Sequence, residues 1–454
     1  MSSRPPLSLE QLKRLFLEGL AEANANATFF VPANKPLSDF QTQAVREAKD
    51  LNEFMTAVTI VNGAWRNAFR PPHPHDDAEK VTAFRFGEGH TEWYFIAATF
   101  KEFAFIFSPM RVEVAPPAVV ARYFEGEPQR AVVWNLFGGY GFRGSTSWTE
   151  FPFTWLQGDY STGPQSFSLK ASGQGLQMYF TMTKNRIFKF TVLFGGKNLT
   201  AEVTAKGPPL PMAPGGCFNC GKYGLSSTYF SHTDCDAQAY ISESPTEPGN
   251  PGDRIEGTDG QAWIDHQTFA IGQGKNGVMN LVSNSVRVLF KKPLAWLWMY
   301  IQDRSDATQY MITTVVDPLK FARGATYKPI CNIYHNQSVA LNVKGAKVTV
   351  GATLNGSDFN YPLEYKVTLP SGKEVRLVVS YGYKAVPNFT RIDSWEMPAL
   401  LFDSGQASGQ ASGQGREIGR GVVELNGVTP EKEQVRRILD NLPPQVVRKL
   451  SVPQ

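Results

Sequence analysis

The stretch Gly260-Gln261-Ala262-Trp263-Ile264-Asp265-His266-Gln267 brings an indole, a carboxyl and an imidazole within four positions of one another, in a run with strand character. Side chains alternate across a strand, so Trp263, Asp265 and Gln267 share one face, opposite Ile264 and His266. A carboxyl aimed into an apolar, water-poor space is harder to ionise, which raises its pKa and leaves it a proton donor near neutrality. Such a group can protonate an alkene or a carbonyl without a metal. Asp265 is therefore the candidate acid, and His266 the second catalytic candidate, supporting it from behind the strand. A structural reading uses the same residues: Asp265 caps a turn or bonds a neighbouring strand, and His266 is a satisfied, half-buried imidazole. Residue types alone leave both open.

A second segment, His90-Thr91-Glu92-Trp93-Tyr94-Phe95, places His90, Glu92 and Tyr94 on one face and Trp93 and Phe95 on the other. Trp296, Trp298 and Tyr300 alternate along a third and can line a pocket, although a period-two aromatic stripe also suits a core. The candidate substrate contacts are Glu92, Trp93, Tyr94, Tyr229, Trp263, Trp296 and Trp298. Cys217, Cys220, His232 and Cys235 form C-x2-C-x11-H-x2-C, a spacing compatible with tetrahedral zinc. Leu225 to Ser231 between them reads as strand rather than knuckle, and Cys217 follows a Pro-Gly-Gly loop. Ordinary thiols or an opportunistic disulfide are the preferred reading, and no metal is assigned. His73-Pro74-His75-Asp76-Asp77 reads as a solvated cluster in a proline-rich loop, and Phe137-Gly138-Gly139-Tyr140-Gly141-Phe142 as a β-turn without dinucleotide spacing. Neither a Gly-x-Ser-x-Gly elbow nor a kinase or phosphate-loop signature occurs.

The elements that must carry these residues are short strands. Forty Gly and 31 Pro punctuate β-branched and aromatic runs in a chain of 454 residues, too long for one core. Ser8 caps an amphipathic helix with Leu9, Leu12, Leu15, Phe16 and Leu20 on one face, and a second helix is expected over Phe40 to Phe54, before a first strand at Thr56 to Val61. The expected division is a helical extension (1–55), a first β domain (56–241), a linker (242–258), a second β domain (259–428) and a C-terminal helix and tail (429–454). A polar Ser-Gly-Gln-Ala repeat at 404–415 forms a flexible insertion in the second domain. Lys plus Arg number 45 against 41 Asp plus Glu, a net charge of +4 without any basic block, so a nucleic-acid partner is not expected. No apolar run reaches the roughly 20 residues of a bilayer span, and the N-terminus lacks the apolar stretch of a signal peptide. The expected location is cytoplasmic; the oligomeric state is left open.

Five segments then stand in a recognisable order: Glu92-Trp93-Tyr94-Phe95, Tyr223 to Tyr240, Ala262 to Gln267, Trp296-Leu297-Trp298-Met299-Tyr300, and Gly419-Arg420-Gly421-Val422-Val423-Glu424-Leu425. Together, over residues 85–427, they resemble the lipocalin-like family of the AttH/carotenoid 1,2-hydratase type, which also includes fungal decalin-forming Diels-Alderases. The resemblance implies an all-β protein of two lipocalin-like barrels, an apolar substrate held within or between them, and no cofactor. It also implies that the Asp of a Trp-x-Asp-His motif, here Asp265, is the proton donor. The expectation is an enzyme hydrating or cyclising an isoprenoid or polyketide-derived molecule, of hydro-lyase or isomerase type. The alternative is a non-catalytic carrier of a hydrophobic small molecule, for which the same aromatic lumen suffices.

Overall fold

The computed structural model describes residues 6–25, 43, 45–62, 91–115, 117–124, 131–145, 147–152, 154–162, 165–212, 217–220, 225–243, 254–271, 295–355, 360–382, 385–387, 393–404 and 415–426. His90, the 73–77 cluster, most of the 242–258 and 404–415 segments and the expected C-terminal helix lie outside them.

The protein is all-β, built as two antiparallel sheets with a helical layer at the N-terminal end. In the first sheet, ten strands follow one another round a closed ring: β1 (Thr91–Thr99), β2 (Phe103–Glu113), β3 (Val132–Phe142), β4 (Trp155–Thr162), β5 (Ser166–Gly173), β6 (Leu176–Thr183), β7 (Ile187–Phe194), β8 (Lys197–Ala205), β9 (Leu225–Glu243) and β10 (Arg254–Ile271). Pairing of β9 with both β8 and β10, and of β10 with β1, closes the barrel. The second sheet runs through β11 (Ala295–Asp303), β12 (Thr308–Val316), β13 (Ile330–His335), β14 (Ser338–Val343), β15 (Lys347–Asn355), β16 (Asn360–Thr368), β17 (Glu374–Val379), β18 (Asp393–Asp403) and β19 (Glu417–Asn426). Here β11 pairs β19, and β14 and β15 form the two edges.

Sheet membership corrects the expected boundary. The strand carrying Asp265 belongs to the first barrel, between β1 and β9, so the second sheet begins at Ala295 rather than residue 259. The Pro/Gly-rich stretch at 244–253 marks a connection between β9 and β10, two neighbours of one sheet. Composition alone cannot separate such a connection from an interdomain linker.

Two local readings also change. Leu51–Asn62 is an α-helix, where a strand was expected from Thr56. Asp50 Oδ1 accepts the Glu53 N–H at 2.8 Å while Glu53 Oε2 accepts the Lys49 N–H at 2.8 Å, a reciprocal cap that starts the helix. Phe54, Met55 and Val58 then bury at helical spacing, overriding the β preference of Thr56 to Val61. Asp50→Ala is expected to cost about 1 kcal/mol, read as a lowered urea midpoint at unchanged slope. The glycines at 138, 139 and 141 lie within strand β3 rather than in a turn. Gly138 has φ +120°, and a Cβ there would stand 2.1 Å from the Ile106 carbonyl oxygen; one on Gly141 would stand 1.7 Å from that of Tyr381. These glycines admit close backbone approach between strands and between sheets.

Ser8 caps the first helix as expected, its Oγ accepting the Gln11 N–H at 3.2 Å and its N–H donating to Gln11 Oε1 at 2.8 Å. Leu12, Leu15 and Phe16 pack with Phe54 and Val58 against Met110, Val112, Val133 and Trp155 on the outside of the barrel. The opposite parity of the same strands, from Tyr94, Ile96 and Phe107 round to Ile264, fills the barrel with rings and branched chains. In the second sheet Leu297, Met299 and Ile301 face its own core, leaving Trp298 and Tyr300 to face the barrel. The two units are clasped by polar contacts: Tyr381 Oη donates to the Phe100 carbonyl at 2.7 Å, Asn332 Nδ2 to that of Met212 at 2.9 Å, and Arg420 to that of Thr99.

Candidate functional site

Strand β10 is a wall shared by two compartments. Its odd positions face the seam between barrel and second sheet, where Trp263 packs with Phe95, Ala97, Met212, Trp298, Tyr300, Met311 and Tyr334. Its even positions, Ala262 and Ile264, face the barrel interior. Asp265 and His266 are therefore neighbours in sequence but not in space.

On the seam side Asp265 is 2% exposed. Ser231 stands directly across the ladder on β9. Its hydroxyl donates to Asp265 Oδ1, which also accepts the Trp263 indole N–H at 2.5 Å; Oδ2 accepts the Tyr229 hydroxyl at 2.6 Å. Burial pushes the Asp265 pKa up to about 7, against the three donors, which favour the charged form. The hydroxyls of Ser231 and Tyr229 can accept as well as donate, so the protonated carboxyl keeps its partners. Burial also holds the Tyr229 phenol well above its ordinary value, with the nearby charges of Asp265 and Glu424 adding to it. The surroundings are aromatic. The Trp263 ring lies 4.1 Å from Tyr300 and meets Trp298 and Tyr334 edge-on at 6.2 and 5.8 Å, and Trp298 also meets Phe95 edge-on at 6.0 Å.

On the barrel side His266 is 2% exposed and Glu92 fully buried. His266 Nε2 lies 2.6 Å from Glu92 Oε1, and Tyr94, opposite it on β1, stacks on the imidazole at 4.2 Å with the rings within 1° of parallel. Arg111 faces Glu92 across β1 and β2 and pairs with Glu113 at 2.5 Å. This is a polar cluster in a mainly apolar barrel.

The sequence candidates thus divide. Asp265, Trp263, Tyr229 and Trp298 gather in the seam; His266, Glu92 and Tyr94 gather inside the barrel. Trp93 is half-buried between the helical layer and the seam, and the side chain of Trp296 lies outside the described residues. Tyr300, read from sequence as sharing the face of Trp298, lies in the seam too; Ser231, Tyr334 and Glu424 complete it and were not singled out from sequence. Val422, and by the same parity Glu424, share the face of Trp298, which Glu424 opposes in the ladder. Only the register of strands far apart in the chain places them there.

His232 lies inside the barrel with its Nδ1 3.1 Å from the Gly207 carbonyl; burial lowers its pKa to about 4, so it is a neutral donor there. It faces Ile264 across the ladder, and Cys235 is buried as a free thiol. No group of three or more His, Cys, Asp or Glu arranged for a metal ion occurs among the described residues; the side chains of Cys217 and Cys220 are not among them.

No protein-family profile matches the chain, and no curated protein matches it. Solved structures do. The chain is similar to an AttH-like protein from Nitrosomonas europaea (13% identity, TM-score 0.49, 75% of this chain and 93% of that one). It is similar to kievitone hydratase from Nectria haematococca (12% identity, TM-score 0.47, 80% and 98%). It is also similar to CghA (10% identity, TM-score 0.39, 75% and 88%).

Proposed function

We propose that the chain is a cofactor-independent enzyme that adds a proton to a double bond of a hydrophobic substrate held in the seam, ending in hydration or in ring closure. The observation that carries this reading is Asp265: a fully enclosed carboxyl with a pKa near 7, three hydroxyl or indole donors, and aromatic walls on either side. The acid gives its proton to an alkene carbon. Positive charge developing on the substrate faces the rings of Trp263, Tyr300 and Trp298, whose π-faces attract cations. Water then adds and releases a proton, which returns to Asp265 through the Tyr229 hydroxyl bonded to it. Where the substrate is a flexible polyene, holding its ends together removes orientation entropy, and the same site favours cyclisation.

The test is to incubate the purified protein with lipophilic extracts and follow them by mass spectrometry. A gain of 18 mass units marks hydration and an isomeric product with a new retention time marks cyclisation. A ligand that co-purifies and is returned unchanged at every pH from 5 to 9 would establish the carrier instead. The acid must be protonated to act, so conversion is expected to be steady below about pH 6 and to fall tenfold per pH unit above about 7.

A further inference from the structure

Three buried indoles pack in the seam, and of their nitrogens only that of Trp263 has a hydrogen-bond partner among the described residues. Trp263 Nε1 donates to Asp265. Trp148 Nε1 is also without a partner among the described residues, but this ring belongs to the barrel and lies over the backbone of Gly139 and Gly141 within its own sheet. Trp298, on the second sheet, is 3% exposed, and its Nε1 has no hydrogen-bond partner among the described residues. A buried N–H without an acceptor is costly, and the packing around Trp298 by Phe95 and Trp263, both edge-on, holds it in place.

The seam also has a direction. Along the face of β12 that Trp298 shares, Met311 is 4% exposed, Thr313 half-buried and Val315 49% exposed; Ile330, paired with Thr313 on β13, is 52% exposed. Two of the four exposed large hydrophobic residues among the described residues thus sit together at one end of the seam, on the face of Trp298.

We infer that Trp298 Nε1 receives a carbonyl oxygen of the seam ligand, so that the substrate class is an apolar molecule carrying an α,β-unsaturated carbonyl group. This rests on the reading of the seam as the reaction site with Asp265 as its proton donor, and for this substrate class it replaces protonation-first addition by conjugate addition. A donor on the oxygen draws electron density out of the conjugated double bond. Water oxygen forms a bond to the β-carbon, the π electrons move onto the carbonyl oxygen, and Asp265 delivers its proton to the α-carbon as the carbonyl reforms. The proton released by the added water restores Asp265 through Tyr229, so the sum is substrate plus water. The same donor activates a carbonyl-bearing alkene toward ring closure, in which no proton is consumed.

The experiment uses two probes of nearly identical shape, 2-acetylnaphthalene and 2-isopropenylnaphthalene, which differ in C=O against C=CH2. Both are titrated into the full-length protein, its tryptophans labelled with indole 15N. The ketone is expected to bind about tenfold tighter than the alkene, the difference one satisfied N–H makes, and to move one indole proton resonance downfield. That resonance is the one missing from Trp298→Phe, which binds the two probes equally. Equal binding by the unsubstituted protein, a ketone preference that persists in Trp298→Phe, or binding of neither probe would overturn the inference. The shift in the unsubstituted protein gives an answer even if Trp298→Phe folds poorly. Asp265→Asn separates this inference from the reading beneath it. A ketone preference kept there while turnover is lost supports both. A preference lost there and kept in Trp298→Phe assigns the carbonyl to Asp265, leaving the acid site standing and Trp298 without the role given to it.

Discussion

Asp265→Asn is expected to lower turnover by about two to four orders of magnitude, the usual contribution of a positioned acid, while the fold survives. Asn keeps the shape, its oxygen accepting from Ser231 and Trp263 and its NH2 donating to the Tyr229 hydroxyl oxygen, but it has no acidic proton to transfer. The same variant has a second, independent signature in stability. A carboxyl whose pKa rises from 3.8 to about 7 on folding binds its proton more tightly in the folded state. It therefore contributes stability that is complete below about pH 4 and is lost as pH climbs through 7, about 4 kcal/mol over that window. His232 runs the other way. Held neutral by burial, with a pKa of about 4 against an ordinary 6.5, it makes the fold gain stability as pH rises between those values. Melting curves of the unsubstituted protein thus combine the two slopes, and the difference between it and Asp265→Asn isolates the carboxyl. The difference should favour the unsubstituted protein least at pH 8 and most at pH 4. A flat difference would mean that Asp265 is ionised throughout and is not an acid near neutrality.

The second large effect lies in the barrel. Glu92→Leu is expected to destabilise the protein by about 3–5 kcal/mol, because it leaves a 2%-exposed His266 with no partner for Nε2, while Nδ1 already has none among the described residues. Replacing His266 alone by Phe, which keeps the stack on Tyr94, leaves Glu92 short of one partner and costs a similar amount. The double variant Glu92→Leu with His266→Phe should recover most of the loss, since an apolar pair suits a barrel lined by Ile96, Phe180 and Ile264. Chemical denaturation of all four proteins gives the coupling directly. Additive losses would show that the pair is not a unit. Because His266 faces away from the seam, the double variant should retain turnover, which separates its structural part from the acid's.

The facing of these residues was legible from strand alternation alone. Reading Asp265 and His266 as opposite faces of one strand needs only the two-residue period, and the same period put Trp263 beside the carboxyl. What each face meets was not legible. Glu92 and His266 are 174 positions apart and touch only because β1 and β10 pair in one register; Ser231 reaches Asp265 through the register of β9. Local sequence carries no record of such pairings. The helix at Leu51–Asn62 was hidden for another reason: its core-facing residues obey helical spacing, but Thr56 to Val61 carry the β-branched side chains of a strand. The boundary was misplaced because proline and glycine report a change of direction, not a change of sheet.

The two-sided character of β10 has a consequence for the protein's descent. Inserting or deleting one residue between Gly260 and Asp265 would exchange the contents of the two compartments, sending the carboxyl among the phenylalanines of the barrel and the imidazole into the seam. Substitutions at these positions change one property at a time, and a two-residue change keeps each side chain in its compartment. The length of this strand is thus constrained in a way its side chains are not: the lining of either compartment can change residue by residue, while the count between Gly260 and Asp265 has to hold its parity.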